Sequence, residues 1–580
     1  MEYNEALPPE LEQLADADVF HYGHLPLVAA FCRQLGLQEA VNETVPSKME
    51  LKPGAVVQAV VLDTLCGRTP FYRLEESLAE QDLEVLLGKG LEAHNFNDTN
   101  LGRSLDAIFE AGPAKMLTEL GRRAVRIFNL DARVVSYDTT STSVWGDYLP
   151  CAASSPPPGP IITHRHSKDK RPDLKQFMTE LLCVERGVPI FGRILNGNSS
   201  DKTLNNTMLA KLSKLMATHG LAPCDFIYVA DSAMVTEKNL ATLGVNRFVS
   251  RLPASYTACG KAIATAVDAG EWEDIGALAE YKGTKNRPNA TYRLASTEIE
   301  LHGREYRAVV VHSDSHDRRR RKKIEKALTQ SREKIQKEIK KIPLVYSCEP
   351  DAREACKRVE KLSGQLHHAK ASVVSFQKRK RGRPPKNGPA PTAIQYQLKC
   401  DVCEKVEAVE RERELAGCFV LISNVPADGP AAVSAKGLLQ VYKGQYGVES
   451  GFAFLKDPLV VNDTFLKKPK RIEVLGTILV IALLIWRLME RSMRSSIADT
   501  DKTLPGWENR RTKQPTTFMA STAMRGITVI RTAQGRRFLI RKPTAKQDEY
   551  LRAMGLTASV FLDPFSKCKP IIPAESRSKG

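Results

Sequence analysis

Paired cysteine chemistry is almost wholly missing from this sequence. Twelve cysteines are scattered along it, and only Cys400 and Cys403 form a C-x-x-C. A structural zinc needs a second such pair or nearby histidines, and neither follows, so a zinc module is not expected. The other cysteines read as buried apolar side chains of a reducing compartment. Long apolar runs are missing too. The longest, Val474 to Trp486, falls short of the about 20 residues that cross a bilayer, so no membrane partner is expected. The opening MEYNEALPPE is acidic and polar, which argues against a secretory leader. Apolar residues at 42% and charged residues at 26% exclude global disorder, collagen and a membrane bundle.

Acidic residues are in deficit: 67 against 85 lysines and arginines, a net charge of +18 over 580 residues. That excess favours a polyanionic partner, nucleic acid before anionic membrane. It is concentrated. Residues 317–342 carry twelve basic side chains against four acidic ones, and KRKRGRPPK at 378–386 adds six more. The rest of the chain is nearly neutral, so the basic character belongs to particular surfaces. In the first segment Ile324, Leu328, Ile335, Ile339 and Ile342 recur at helical spacing. After Pro343, the residues Cys356, Val359, Leu362, Leu366, Ala369 and Val373 recur at spacings of 3 and 4. The two stretches predict an antiparallel helical hairpin whose basic outer face is either solvated or laid on a DNA backbone. In the second segment Arg381-Gly382-Arg383-Pro384 resembles the core of an AT-hook. The resemblance implies that Arg381 and Arg383 enter a narrow minor groove; the alternative is a solvated loop making phosphate contacts only.

Residues 1–125 read as a helical N-terminal domain and a candidate DNA-binding unit. Leu51–Cys66 is an apolar helical stretch with Pro53 in its first turn, and Asp98 or Thr99 is the expected N-cap of a helix through Leu105. From residue 126 to 251 the texture changes to short strands. Arg133–Tyr137 leads to Asp138. Met178–Val184 and Val188–Ile194 are joined by Glu185-Arg186-Gly187, a hairpin signal. Asp201–His219 is amphipathic, Asp225–Ala230 is a buried strand ending at Asp231, and Asn246–Arg251 follows a short helix. The order β-β-β-α-β-α-β is that of an RNase H-like fold, whereas a plain doubly wound sheet alternates strictly. The pattern breaks off over 252–432, read as an insertion holding strands, the basic helical hairpin and the basic loop. It returns at 433–495 with the helix Ser434–Lys456 and a core helix; 496–580 is expected to be a basic C-terminal tail. The fold class is thus α/β: an RNase H-like core interrupted by a large α+β insertion and preceded by a helical domain.

Three acids carry the expected chemistry. Asp138 and Asp231 follow strands, where α/β sheets place their sites. Glu449 lies in the returning helix. Carboxylate oxygens suit Mg²⁺ or Mn²⁺, and three of them leave a pair of ions electrophilic toward phosphate. On one continuous helix Tyr442, Gln445, Glu449 and Lys456, at offsets of three, seven and fourteen from the first, fall within an arc of about 60°. Lys456 is placed to contact a phosphate as a point charge, and Tyr442 to orient a phosphate or a water.

This Tyr-x2-[Arg]-x3-Glu-x6-Lys spacing, with Asp138 and Asp231 upstream, resembles the signature of bacterial insertion-sequence DDE transposases. HRHSKDKRPDLKQ at 164–176 and NGNSSD at 196–201 extend the resemblance. It implies that Asp138, Asp231 and Glu449 are the catalytic ligands of two Mg²⁺ or Mn²⁺ ions. It also implies strand cleavage and transfer on double-stranded DNA, at terminal inverted repeats and target, by a homodimer at the bacterial nucleoid in the cytoplasm. The DNA contacts fall to Tyr442, Gln445 and Lys456. The sequence departs in one place: the signature's Arg is Gln445, whose amide can bond a phosphate oxygen but supplies no charge. Two alternatives stay open, a non-catalytic DNA-binding derivative of such an enzyme and another RNase H-like nuclease.

Overall fold

The computed structural model describes residues 17–148, 158–165, 171–279, 288–379, 392–457 and 466–569. The chain forms two units, Met1–Ser250 with Val441–Gly580, and Arg251–Gln440.

The elements of the first unit that position the site are helices α1 (Pro53–Cys66), α2 (Asp98–Ala111) and α3 (Pro113–Phe128), strands β1 (Val134–Val144), β2 (Lys175–Val184) and β3 (Val188–Leu195), helix α4 (Asp201–Ala217), strand β4 (Ile227–Ala230), helix α5 (Glu237–Leu243) and strand β5 (Arg247–Arg251). Helices α6 (Ala435–Lys443), α7 (Tyr446–Leu455) and α8 (Pro469–Thr500) follow. The strands run in the order β3-β2-β1-β4-β5. The β1–β2 and β2–β3 pairs are antiparallel, and β1–β4 and β4–β5 are parallel, giving a mixed sheet. Strand β1 (VVSYDTTSTSV) is rich in β-branched residues, which suit a pleated, buried ribbon. It therefore runs on past Asp138, which was expected to end it, and pairs with β2 as far as Val144 with Lys175.

Helix α8 is the spine of this unit and packs on α1, α2, α3, α7 and β3. On length and composition it could cross a bilayer, yet 83% of its apolar window is buried within the fold. Its ends are tied electrostatically. Arg491, 2% exposed, bonds the Phe128 and Asn129 carbonyls and the Glu185 carboxylate of the β2–β3 turn. Arg471 forks onto Asp106 of α2 with two bonds of 3.0 Å, and Lys470 adds a third contact at 3.2 Å. The hydrogen bond from Arg471 is the largest influence holding the Asp106 carboxyl down at about 2. A depressed carboxyl stabilises the fold fully above its unfolded value of about 4 and loses that contribution as the pH falls toward 2. Replacing Asp106 with Asn should therefore flatten the stability loss between those pH values, as read by urea unfolding across that range.

Two expectations at the chain ends are corrected. Asn97, rather than Asp98 or Thr99, caps α2, accepting from the Asn100 amide at 3.0 Å; its backbone is extended while Asp98 is already helical. The described part of 496–580 is folded rather than a tail. Strand Thr528–Arg531 lies between Asp18–His21 and Arg537–Leu539, and Arg537 and Arg531 close on the buried Asp82.

The second unit holds four antiparallel strands, Glu273–Ala277, Thr291–Leu301, Arg304–Ser313 and Cys418–Ser423. It also holds the basic helix Asp314–Ile339, the helix Glu349–Glu360 and a long hairpin, His367–Arg379 with Thr392–Glu404. The predicted helical hairpin is corrected here. Cys356 and Val359 are helical, but Ala369 and Val373 sit on a strand, where Val373 opposes Leu398 and Ala369 opposes Val402. A spacing of four satisfies both the helical and the strand period, so the apolar seam does not distinguish them. On the partner strand Cys400 packs toward the core of Ile335, Ala355 and Leu398, while Cys403 is exposed. Residues three apart on a strand face opposite sides, so this C-x-x-C does not converge on one ion. Arg381 and Arg383 lie outside the described residues.

Candidate active site

The parallel ladder of β1 and β4 runs from Val134 with Ile227 to Ser136 with Val229. Carried two residues further, the same register brings Asp138 level with Asp231, whose backbone is still extended at φ −71 and ψ 176. Residues in register on parallel strands share a face, so the two aspartates belong to the same face of the sheet, just past the point where the parallel pairing stops. Both lie within electrostatic reach of Tyr228. Burial raises that phenol well above its ordinary value, and Glu180, Asp231 and Asp138 raise it further. Each aspartate is held locally. The Thr139 amide donates to Asp138 Oδ1 at 2.7 Å, and the Ala233 amide to Asp231 Oδ1 at 3.1 Å. The Ser250 hydroxyl of β5, fully buried, donates to the Asp231 carbonyl at 2.9 Å.

The two faces of the sheet do different work. Away from the aspartates, Tyr137 donates to Glu180 at 2.9 Å and Glu180 pairs with Arg193, a buried carboxylate neutralised within the sheet. Thr139 donates to Asp201 at the start of α4 at 2.7 Å, and Tyr228 to Asn205 at 3.2 Å. On the aspartate face, Val134, Ser136 and Cys183 join Val441, Gly444 and Val448 around a cavity of about 190 Å³. The junction of α6 and α7 therefore covers the face that carries Asp138. Burial pushes the Cys183 thiol up to about 12, with Arg487 opposing and Asp138 adding to the rise.

Ser434–Lys456 is not one helix. Residues 444 and 445 form a turn closed by Gly444 N to Val441 O at 3.1 Å and Gln445 N to Tyr442 O at 3.2 Å. Just beyond this turn Gly447 packs closely against Gly187, where a Cβ on Gly447 would come within 2.8 Å of backbone nitrogen. Tyr442 thus belongs to α6, while Glu449 stands in the first turn of α7 and Lys456 caps its C-terminus. Seven residues separate those two, about 10 Å along one helix face. Glu449 is exposed; next to it Ser450 accepts from Arg487 of α8 at 2.6 Å. Gln445 does not offer its amide to a phosphate from here: it is buried and donates to the Tyr137 carbonyl at 3.4 Å. Among the described residues no group of three or more His, Cys, Asp or Glu stands close enough to hold a metal ion together. Asp138 and Asp231 come level in the register, and Glu449 lies on a helix over the same sheet face.

Sequence reasoning missed Asp201, Ser250, the Tyr137–Glu180–Arg193 set and the glycine contact. NGNSSD was noted as a segment, but its Asp201 carried no assigned role. A lone Glu in the apolar strand MTELLCV was the available signal for Glu180, since a buried acid demands a partner.

Residues 17–122 match a family model described as Domain of unknown function (DUF4277). That stretch precedes β1 and contains none of the three acids. No curated protein matches the chain. Among solved structures, one match is the Mos1 transposase paired-end complex with left transposon end, at 12% identity and a TM-score of 0.15. It covers 32% of this chain and 59% of that one, so this chain spans less than two thirds of that neighbour.

Proposed function

We propose that this protein is a DNA transposase of an insertion sequence, cutting and joining strands at transposon ends by metal-assisted phosphoryl transfer on an RNase H-like core. The observation that carries the reading is the register that sets Asp138 and Asp231 side by side at the end of the parallel ladder. The strand order, the helix bearing Glu449 over the same face and the signature spacing support it.

Carboxylate oxygens are hard donors and fit Mg²⁺ or Mn²⁺. Asp138 and Asp231 would hold the ions, with Glu449 completing the set from α7. Bound there, the ions supply electrophilic stabilisation of the phosphoryl group and of the leaving oxygen. The chain's own part is placement. Ser250 and the Ala233 amide fix Asp231, Thr139 fixes Asp138, and Lys456 and Tyr442 meet the DNA backbone. In the first step water attacks the end phosphodiester and frees a 3′-OH; in the second that 3′-OH attacks target DNA. The active complex is a homodimer bridging two ends.

The competing reading is a non-catalytic DNA-binding derivative, favoured by Glu449 standing outside a ready three-acid cluster. Incubation with Mg²⁺ and DNA carrying the element's own terminal repeats separates the two. Cut and joined product supports the transposase, cutting without joining another nuclease, and binding alone the derivative. In the same assay Glu449→Gln should abolish cutting and leave DNA binding intact; loss of both would remove Glu449 from a purely chemical role.

A further inference from the structure

One side chain ties the strand of one acid to the helix of another. Gln445 is only 7% exposed, and its Nε2 donates to the carbonyl of Tyr137, the residue before Asp138. Tyr137 lies one residue past the last β1–β4 pair. Gln445 also begins α7, and its own carbonyl accepts from the Glu449 amide at 3.4 Å, one helical turn on. A second fixed point lies between them in sequence. Gly447 packs so closely on the β2–β3 turn that a Cβ at Gly187 would meet the Gly447 carbonyl oxygen at 2.5 Å.

We infer that Gln445 is a positioning residue for Glu449: the bond to the Tyr137 carbonyl, with the Gly187–Gly447 contact, fixes the start of α7 against β1. The inference rests on the transposase reading for its consequence, though not for its geometry. An exposed glutamate samples several rotamers, but the backbone from which it starts sets the reach of every one of them. Misplacement by about 1 Å at a reacting centre costs about a hundredfold in rate. The position that the signature gives to a cation is here turned inward, and an amide suits it because a buried guanidinium would need a counter-charge. The acceptor of Gln445 is a backbone carbonyl.

The test uses the full chain and two variants. Gln445→Met keeps the length of the side chain and removes the donor. Gln445→Glu keeps the shape and sets an acceptor against an acceptor. Three quantities are read: amide hydrogen exchange over 446–455, affinity for terminal-repeat DNA, and the Mg²⁺-dependent cleavage rate at saturating DNA. Both variants should speed exchange in the first turn of α7 while β1 and α8 keep wild-type protection. Cleavage should fall by about 10- to 100-fold, the usual cost of losing an outer-shell support, with DNA affinity at the wild-type value. Unchanged exchange in α7 overturns the anchoring. Weakened DNA binding with an unchanged saturated rate overturns it too, and marks Gln445 as a DNA contact. Exchange lost throughout the unit would make Gln445 a general packing residue, which also refutes the proposal. If the wild-type chain cuts no DNA, the transposase reading fails on its own, and the exchange measurement still decides whether Gln445 anchors α7.

Discussion

Asp138→Asn and Asp231→Asn should each lower DNA cleavage by about a thousandfold or more while leaving the fold and DNA affinity intact. The estimate comes from the several kcal/mol of transition-state stabilisation that a well-held ion supplies, at about 1.4 kcal/mol per factor of ten. The two variants should also be close to equivalent, because the register makes the two positions equivalent: each follows the last β1–β4 pair by two residues. Their double substitution should cost little more than either alone, since groups that act as a unit are not additive. Gel-resolved cleavage of terminal-repeat DNA in Mg²⁺ measures all three. Asp138→Asn cutting at the wild-type rate would end the assignment of this edge as the active site.

Gly187→Ala is expected to be strongly destabilising. Its Cβ would meet the Gly447 carbonyl carbon at 2.6 Å and oxygen at 2.5 Å, and its φ of +84 lies where side chains are strained. Overpacking costs about 1–3 kcal/mol and the backbone conformation about 1 kcal/mol more, so a loss of about 2–4 kcal/mol is expected. Gly220→Ala separates the two effects: its φ is +75 with nothing within 4 Å, so it should show the strain alone. Denaturant unfolding of both proteins measures the difference. Gly187→Ala should also slow cleavage in the fraction that stays folded, because relieving the clash lifts α7 and Glu449 from the sheet. Equal stability of the two variants would mean that the approach of α7 to the β2–β3 turn is loose, which would also weaken the argument for Gln445.

The two fixed points of α7 show why part of the site could be read along the chain and part could not. Strand and helix types were legible where a single period dominated: Met178–Val184 and Val188–Ile194 fall within β2 and β3, and the amphipathic stretch from Asp201 is α4. They were misread where apolar residues recur at four, as in Ala369 and Val373, because that spacing fits a strand as well as a helix. Asp138 and Asp231 stand out along the chain because each follows a short buried run. Glu180 in the middle of β2 does not, since its partners Tyr137 and Arg193 come from the neighbouring strands. The single helical face drawn through Tyr442, Gln445, Glu449 and Lys456 assumed one uninterrupted helix. The turn at 444 and 445 breaks that helix, and just past it Gly447 meets Gly187, 260 residues away along the chain.

The residues alone determined which groups are available: three carboxylates in a set order, basic charge confined to two segments, and an apolar helix near the end of the core. Those properties are local, fixed by side-chain chemistry and by periods of two and 3.6. Only the tertiary structure decided which of them meet. The parallel pairing of β1 with β4 makes neighbours of Asp138 and Asp231, and the same packing turns Gln445 inward toward the Tyr137 carbonyl. A carbonyl that takes a bond from a residue 308 positions away, and a glycine where two backbones touch, are consequences of long-range contact that no spacing along the chain encodes.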